Sequence, residues 1–225
     1  MKTHTLTSLN IYEFEYTDLE HIDIVLSEIL NANIEYKKPG TDMGDYGYLN
    51  LLHKVPYYNN KLFTWIQSNL DIITDLHFRN LKFAICDSWI VRTKFTESSI
   101  YHKHNQSVLS GLFYFTDHLG SETIFTYTDM FVHPYEYLLS GEEYNRFFKS
   151  TPKKGKLLIW PSYLEHRVSN HKDFKNTRYT LAFNCFPTGV MRTTPTCQLD
   201  LHVKSVKEKF EEHEAFLDKA KDFYK

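Results

Sequence analysis

The feature that most constrains this chain is the stretch from Asn80 to Pro187, where short apolar or alternating runs are separated by Gly, Asn, Asp and Pro. The runs are Leu81 to Lys94, Val108 to Phe115, Glu122 to Val132, Lys156 to Trp160, Arg167 to Ser169 and Thr177 to Phe186. Alternation between turn-forming residues reads as β-strand, and many short strands at this spacing predict a mainly-β jelly-roll sandwich. A sandwich of this kind still forms one domain at 225 residues. With 42% hydrophobic and 16% aromatic residues, the chain can bury a sizeable core.

The flanks carry a different period. A first strand is expected within Ser8 to Tyr16. Thr17 followed by Glu20 fits a capping box for a helix in which Leu19, Ile22, Leu26, Ile29 and Leu30 recur at helical spacing up to Asn31 to Asn33. The segment Tyr36 to Tyr58, rich in Gly, Pro and Tyr, reads as an irregular loop able to fold over a site. Leu62, Phe63, Ile66, Leu70 and Ile73 then predict a second helix. An insert over Tyr135 to Ser150 reads as a short helix or a long loop, a second candidate lid. Charges alternating with Val206, Phe210, Leu217, Ala220 and Tyr224 predict an amphipathic C-terminal helix, packed on the barrel or pairing two copies of the chain. The expected organisation is one domain over 1–225, with helical support in 1–80, the β core in 81–187 and a final helix in 203–224.

Composition excludes several classes. Twenty-six basic and 28 acidic side chains leave no global field for a polyanion or an anionic membrane, and no stretch resembles a nucleic-acid motif. Three cysteines, Cys86, Cys185 and Cys197, at irregular spacing suit a reducing compartment better than a disulfide framework. No apolar run reaches membrane-spanning length and none follows a basic N-terminal segment, so a soluble, cytoplasmic protein is expected.

The residues able to do chemistry cluster in three places. In Tyr101 to Phe115, an extended backbone would project His102 and His104 from one face, where two neutral imidazoles can converge on an ion. Among 12 histidines such a pair alone fits a solvated strand better than a metal site. In Gly155 to Asn170, a glycine turn starts an apolar strand, Pro161 ends it, and His166 follows on the next strand; alone this is equally a plain barrel corner. In Asn176 to Phe186, Arg178 interrupts a core strand. A guanidinium on an inner face calls for a carboxylate or phosphate partner, whereas on the rim it would face water.

The order of these elements is Ser88-Trp89, His102-Lys103-His104, Ser110-Gly111 with Phe113-Tyr114, Gly155, Trp160-Pro161-Ser162, His166-Arg167-Val168, Arg178 and Phe183-Asn184. In that order, over about half the chain, the sequence resembles the Fe(II)/2-oxoglutarate-dependent oxygenases, most closely a group found in bacteria and their phages. The resemblance implies a double-stranded β-helix core and a dioxygenase using Fe(II), 2-oxoglutarate and dioxygen, with hydroxylation of a small molecule or protein side chain as the default outcome. It also implies metal ligands at His102 and His166, an arginine for the distal carboxylate of 2-oxoglutarate at Arg178, a small hydroxyl beside it at Thr180, and an aromatic hydroxyl at Tyr114.

One departure matters. Most of the superfamily has His-x-Asp or His-x-Glu, and here the third position is His104. The site therefore has three histidines, or His104 stands behind the ligands while Asp117, Glu122, Asp129 or a water completes the set; the spacing favours His104. Two other readings compete. A cupin-type metalloprotein shares the barrel and the His-x-His pair, and Gly155, Pro161, His166 and Asn170 fall at the spacing of its second motif. However, Tyr163 stands where that motif has glycine, no Glu follows His104 closely, and Arg178 has no role there. A jelly-roll binding module without catalysis is the third.

Overall fold

The computed structural model describes residues 9–32, 34–37, 44–47, 61–78, 81–118, 120–126, 147–173, 175–194 and 197–201. The expected C-terminal helix over 203–224, most of the two candidate lids and Asp129 lie outside the described residues.

Eleven strands and two helices are described: β1 (Tyr12–Glu15), α1 (Leu19–Asn31), β2 (Tyr36–Lys37), β3 (Asp45–Gly47), α2 (Lys61–His77), β4 (Lys82–Thr93), β5 (Leu109–Tyr114), β6 (Thr123–Thr126), β7 (Phe147–Ser150), β8 (Lys156–Pro161), β9 (Glu165–Val168), β10 (Arg178–Thr194) and β11 (Cys197–Leu201). All pairings are antiparallel. The larger sheet runs β1-β8-β5-β10-β4-β3-β2, with β11 on the far end of β10, and the smaller runs β7-β6-β9. Two facing antiparallel sheets form the expected jelly roll.

Both helices were legible, with one change at the first. The N-cap of α1 is Asp18, not Thr17: the Asp18 carboxylate accepts from the His21 backbone N–H at 3.1 Å. Lys61, the first residue of α2, donates to the other oxygen of Asp18 at 2.8 Å, so the cap also ties the two helices together. The buried face of α1 is Ile22, Val25 and Ile29, while Leu19 and Leu30 are exposed. The strand expected over Ser8 to Tyr16 is β1, which forms an edge against β8, while β2 and β3, the latter added to β4, are strands that periodicity did not show.

Alternation along the strands divides the interior in two. Leu109, Phe113, Leu157, Ile159, Leu181, Phe183 and Cys185 pack against α1 and α2 in one apolar core. The residues between them, Leu112, Tyr114, Leu158 and Trp160, turn toward the smaller sheet, where they meet Phe125 and Leu164. On β4 the alternation would fail without a bulge. The register against β10 shifts between Asn184 and Cys185, leaving Cys86 as the extra residue, so that Ile85 and Ile90 both reach the helix-side core despite their odd spacing. Gly155 starts β8 with φ +86, and a Cβ there would collide with the Tyr16 carbonyl, which explains the glycine. Gly111 yields its side-chain space to the Phe183 ring opposite it.

Candidate metal centre

The inner face of β10 presents Arg178, Thr180, Ala182 and Asn184 in turn, and the candidate site is built along this row. At the Asn184 end, His102 and His166 form an isolated antiparallel bridge, each backbone N–H donating to the other's carbonyl at 3.0 Å. That bridge joins the segment before β5 to β9 and places the two rings 4.3 Å apart. His104 follows two residues later with its ring 5.3 Å from His102 and 5.1 Å from His166. One ring nitrogen from each lies within 4.8 Å of the others, and among the described residues this is the one such group of metal-ligating side chains. His102 and His104 are half-buried and His166 is buried.

Hydrogen bonds set the tautomer of all three rings. Nδ1 of His102 faces the Ile100 carbonyl at 2.9 Å, Nδ1 of His166 faces the Leu164 carbonyl at 3.1 Å, and Nδ1 of His104 faces Asn184 Oδ1 at 2.7 Å. A carbonyl oxygen only accepts, so each Nδ1 carries the proton and each Nε2 keeps its lone pair. Nε2 of His104 is buried with no hydrogen-bond partner among the described residues, which is the condition expected of an atom that waits for a cation. The environment keeps the His104 and His166 rings neutral. Burial, followed by the neighbouring His102, pushes His104 down to about 4 and His166 to about 3. Neutral, correctly oriented imidazoles fit a divalent transition metal.

Of the carboxylate alternatives, the two among the described residues do not join this group. Asp117 is exposed and accepts from the Lys154 N–H at 2.8 Å, and Glu122 accepts from Ser169 Oγ at 2.7 Å.

At the other end of the row Arg178 is fully buried. Its guanidinium lies over the Tyr114 ring, 5.2 Å from the centroid, and Nη2 donates to Thr123 Oγ1 at 3.2 Å. Tyr114, also fully buried, shares that hydroxyl at 2.6 Å. Thr180 pairs with Tyr114 across β10 and β5, and its buried hydroxyl has no hydrogen-bond partner among the described residues. Arg178, Tyr114 and Thr180 therefore stand together at one end of the row. Thr123 joins them from the smaller sheet, in a run of buried residues that gave no sign of a polar role.

Sequence reasoning also left four residues without a role. Trp89 stacks on His104 at 5.7 Å with planes 19° apart. Trp160 meets His166 edge-on at 4.9 Å. His118 and His171 pack T-shaped at 4.8 Å, both buried, and burial lowers the pKa of each. Their common signal was weak: each lies on or beside a strand that also carries a candidate ligand.

A jelly-roll barrel holding three converging imidazoles and a buried guanidinium defines a metalloprotein fold with a polar interior. Residues 87–184 match the family described as "Putative 2OG-Fe(II) oxygenase", and this match supports the reading of the chain as an Fe(II)/2-oxoglutarate-dependent oxygenase. Solved structures agree on the fold. HygX from Streptomyces hygroscopicus, solved with nickel, 2-oxoglutarate and hygromycin B bound, is 12% identical with a TM-score of 0.57, over 80% of this chain and 84% of that one. The 2-oxoglutarate-dependent epimerase SnoN from nogalamycin biosynthesis is 10% identical with a TM-score of 0.62, over 88% and 90%. A Pseudomonas putida prolyl-4-hydroxylase is 12% identical with a TM-score of 0.55, over 79% and 93%. No curated protein matches the sequence.

Proposed function

We propose that this dioxygenase holds Fe(II) on Nε2 of His102, His104 and His166, anchors the distal carboxylate of 2-oxoglutarate on Arg178, and hydroxylates a small molecule or a protein side chain. The observation that carries the metal assignment is the convergence of three Nε2 lone pairs whose Nδ1 partners are all oxygen acceptors. When bound, iron and 2-oxoglutarate together let dioxygen oxidise a substrate C–H bond, with release of succinate and carbon dioxide.

The chain's own residues do the rest. The bridge between His102 and His166 fixes two ligands on one rigid pair of strands. Arg178 offers a fully buried charged donor beside the Tyr114 ring and Thr123, where a carboxylate gains more than it would in water. Three neutral imidazoles add no charge to a divalent ion, so the dianionic co-substrate balances it. Iron should accordingly bind more tightly when 2-oxoglutarate is present, and the reverse. A cupin-type reading offers no role for a buried arginine at 178.

Among the described residues no helix is long and apolar enough to cross a membrane. Among the described residues neither Cys86, whose thiol donates to the Asn184 carbonyl at 3.3 Å, nor Cys185 forms a disulfide, which is compatible with the expected reducing, cytoplasmic setting. Pairing of two copies through the segment 203–224 stays part of this reading.

Anaerobic addition of Fe(II) and 2-oxoglutarate should produce a visible metal-to-ligand charge-transfer band. His166→Ala should abolish iron binding and the band with it. Arg178→Gln should keep iron binding but require at least tenfold more 2-oxoglutarate to reach the same band, as expected for a lost charge-assisted pair. A band unchanged by His166→Ala would overturn the metal assignment.

A further inference from the structure

The His104 side of the centre is held by a closed ring of hydrogen bonds contributed by four separate stretches of chain. The His104 backbone N–H donates to the Ser162 carbonyl at 3.0 Å. Ser162 Oγ lies 2.8 Å from Ser110 Oγ, Ser110 Oγ donates to Asn184 Oδ1 at 2.9 Å, and Asn184 Oδ1 accepts from His104 Nδ1 at 2.7 Å. Ser110 and Ser162 are completely buried. Such a circuit is unusual so deep in a barrel, because two hydroxyls in an apolar wall are costly unless every member is satisfied.

We propose that Asn184 is a positioning residue that makes a neutral imidazole an effective third ligand at position 104; the proposal rests on the three-histidine reading above. Direction is the essential point. Ser110 already donates to Oδ1, so the amide presents an acceptor to His104, Nδ1 must hold the proton, and Nε2 is left as a lone pair. The opposite amide orientation would offer Nδ2–H to Nδ1, put the proton on Nε2 and remove the ligand atom. His102 and His166 need no such device, since backbone carbonyls two residues back fix their tautomers. His104 instead relies on a side chain from β10, eighty residues away. Trp89 and His166 both stack on the His104 ring, which leaves the tautomer as the property that Asn184 selects. Partners of this kind behind a metal-bound histidine are worth about 10- to 100-fold in metal affinity.

The test uses the whole chain, Fe(II) titrated anaerobically, and long-range 15N–1H spectra of the metal-free imidazoles. Asn184→Leu should weaken Fe(II) binding about 10- to 100-fold and shift His104 from the Nδ1–H toward the Nε2–H tautomer. Asn184→Asp, which can only accept, should keep the Nδ1–H tautomer and bind iron at least as well as the unaltered chain. Ser110→Ala should give a smaller loss of the same kind, and it guards against misfolding of the leucine variant. Equal Fe(II) affinity in the leucine variant and the unaltered chain, or an aspartate variant as weak as the leucine one, overturns the proposal. His104→Ala separates the two levels. If it binds Fe(II) as tightly as the unaltered chain, the three-histidine reading falls and this inference with it; if it binds weakly while Asn184→Leu does not, only this inference falls.

Discussion

The two faces of β10 use the same backbone for opposite ends. Toward the helices, Leu181, Phe183 and Cys185 are buried among aliphatic and aromatic neighbours and carry no polar function. Toward the smaller sheet, Arg178, Thr180 and Asn184 are polar and line the candidate site. Adjacent residues thus differ by a face flip of one position along the strand. The helix-side core holds the sheet together, and that stability lets the other face keep groups that on their own disfavour folding.

The largest expected effect comes from breaking the helix side. Phe183→Ala removes a fully buried ring packed over Gly111 and should cost about 3–5 kcal/mol in denaturant unfolding. The folded fraction should still bind one Fe(II), because the ring touches none of the ligands; loss of metal at full stability would refute the division between the faces.

A smaller effect should appear on the inner side on acidification of the metal-free protein. His104 and His166 stay neutral when folded, with pKa values near 4 and 3 against an ordinary 6.5. The unfolded chain therefore binds more protons as pH falls below about 6.5, and folding loses stability toward pH 4. At pH 5 the expected loss is about 2 kcal/mol per ring. His118 and His171 act in the same direction. Melting temperatures between pH 7 and 5 should fall less steeply in His166→Gln, and a flat profile in the unaltered chain would contradict this account.

The smallest expected change is at the arginine end. Tyr114→Phe removes the hydroxyl held by Thr123 and should lower 2-oxoglutarate affinity by about 1 kcal/mol, roughly fivefold, with iron affinity unaltered. A titration of the charge-transfer band with 2-oxoglutarate reads it.

Much of this was legible because strands announce themselves locally. Glycine at 155 and proline at 161 bound β8, and the alternation of β5 and β8 separates core from interior residue by residue. Two kinds of detail were not. The bulge at Cys86 shifts which residues of β4 face inward, and nothing in the local sequence Cys86-Asp87-Ser88 distinguishes an inserted residue from a polar break in the strand. Thr17 and Asp18 are both good helix caps, and it is the Asp18 carboxylate that accepts from the His21 N–H, with Lys61 from the second helix on its other oxygen. Thr123, Ser110 and Ser162 likewise read as ordinary small residues until pairing brings them against Tyr114, Arg178 and Asn184.

The sequence by itself determined the strand pattern, the order of histidine, histidine and arginine, and therefore the class of chemistry, since these depend on residue type and local period. Only the tertiary structure decided that His102 bridges His166 and that Asn184 stands behind His104. Hydrogen-bond direction and ring orientation depend on which strands become neighbours, and that pairing is fixed by packing across the whole barrel.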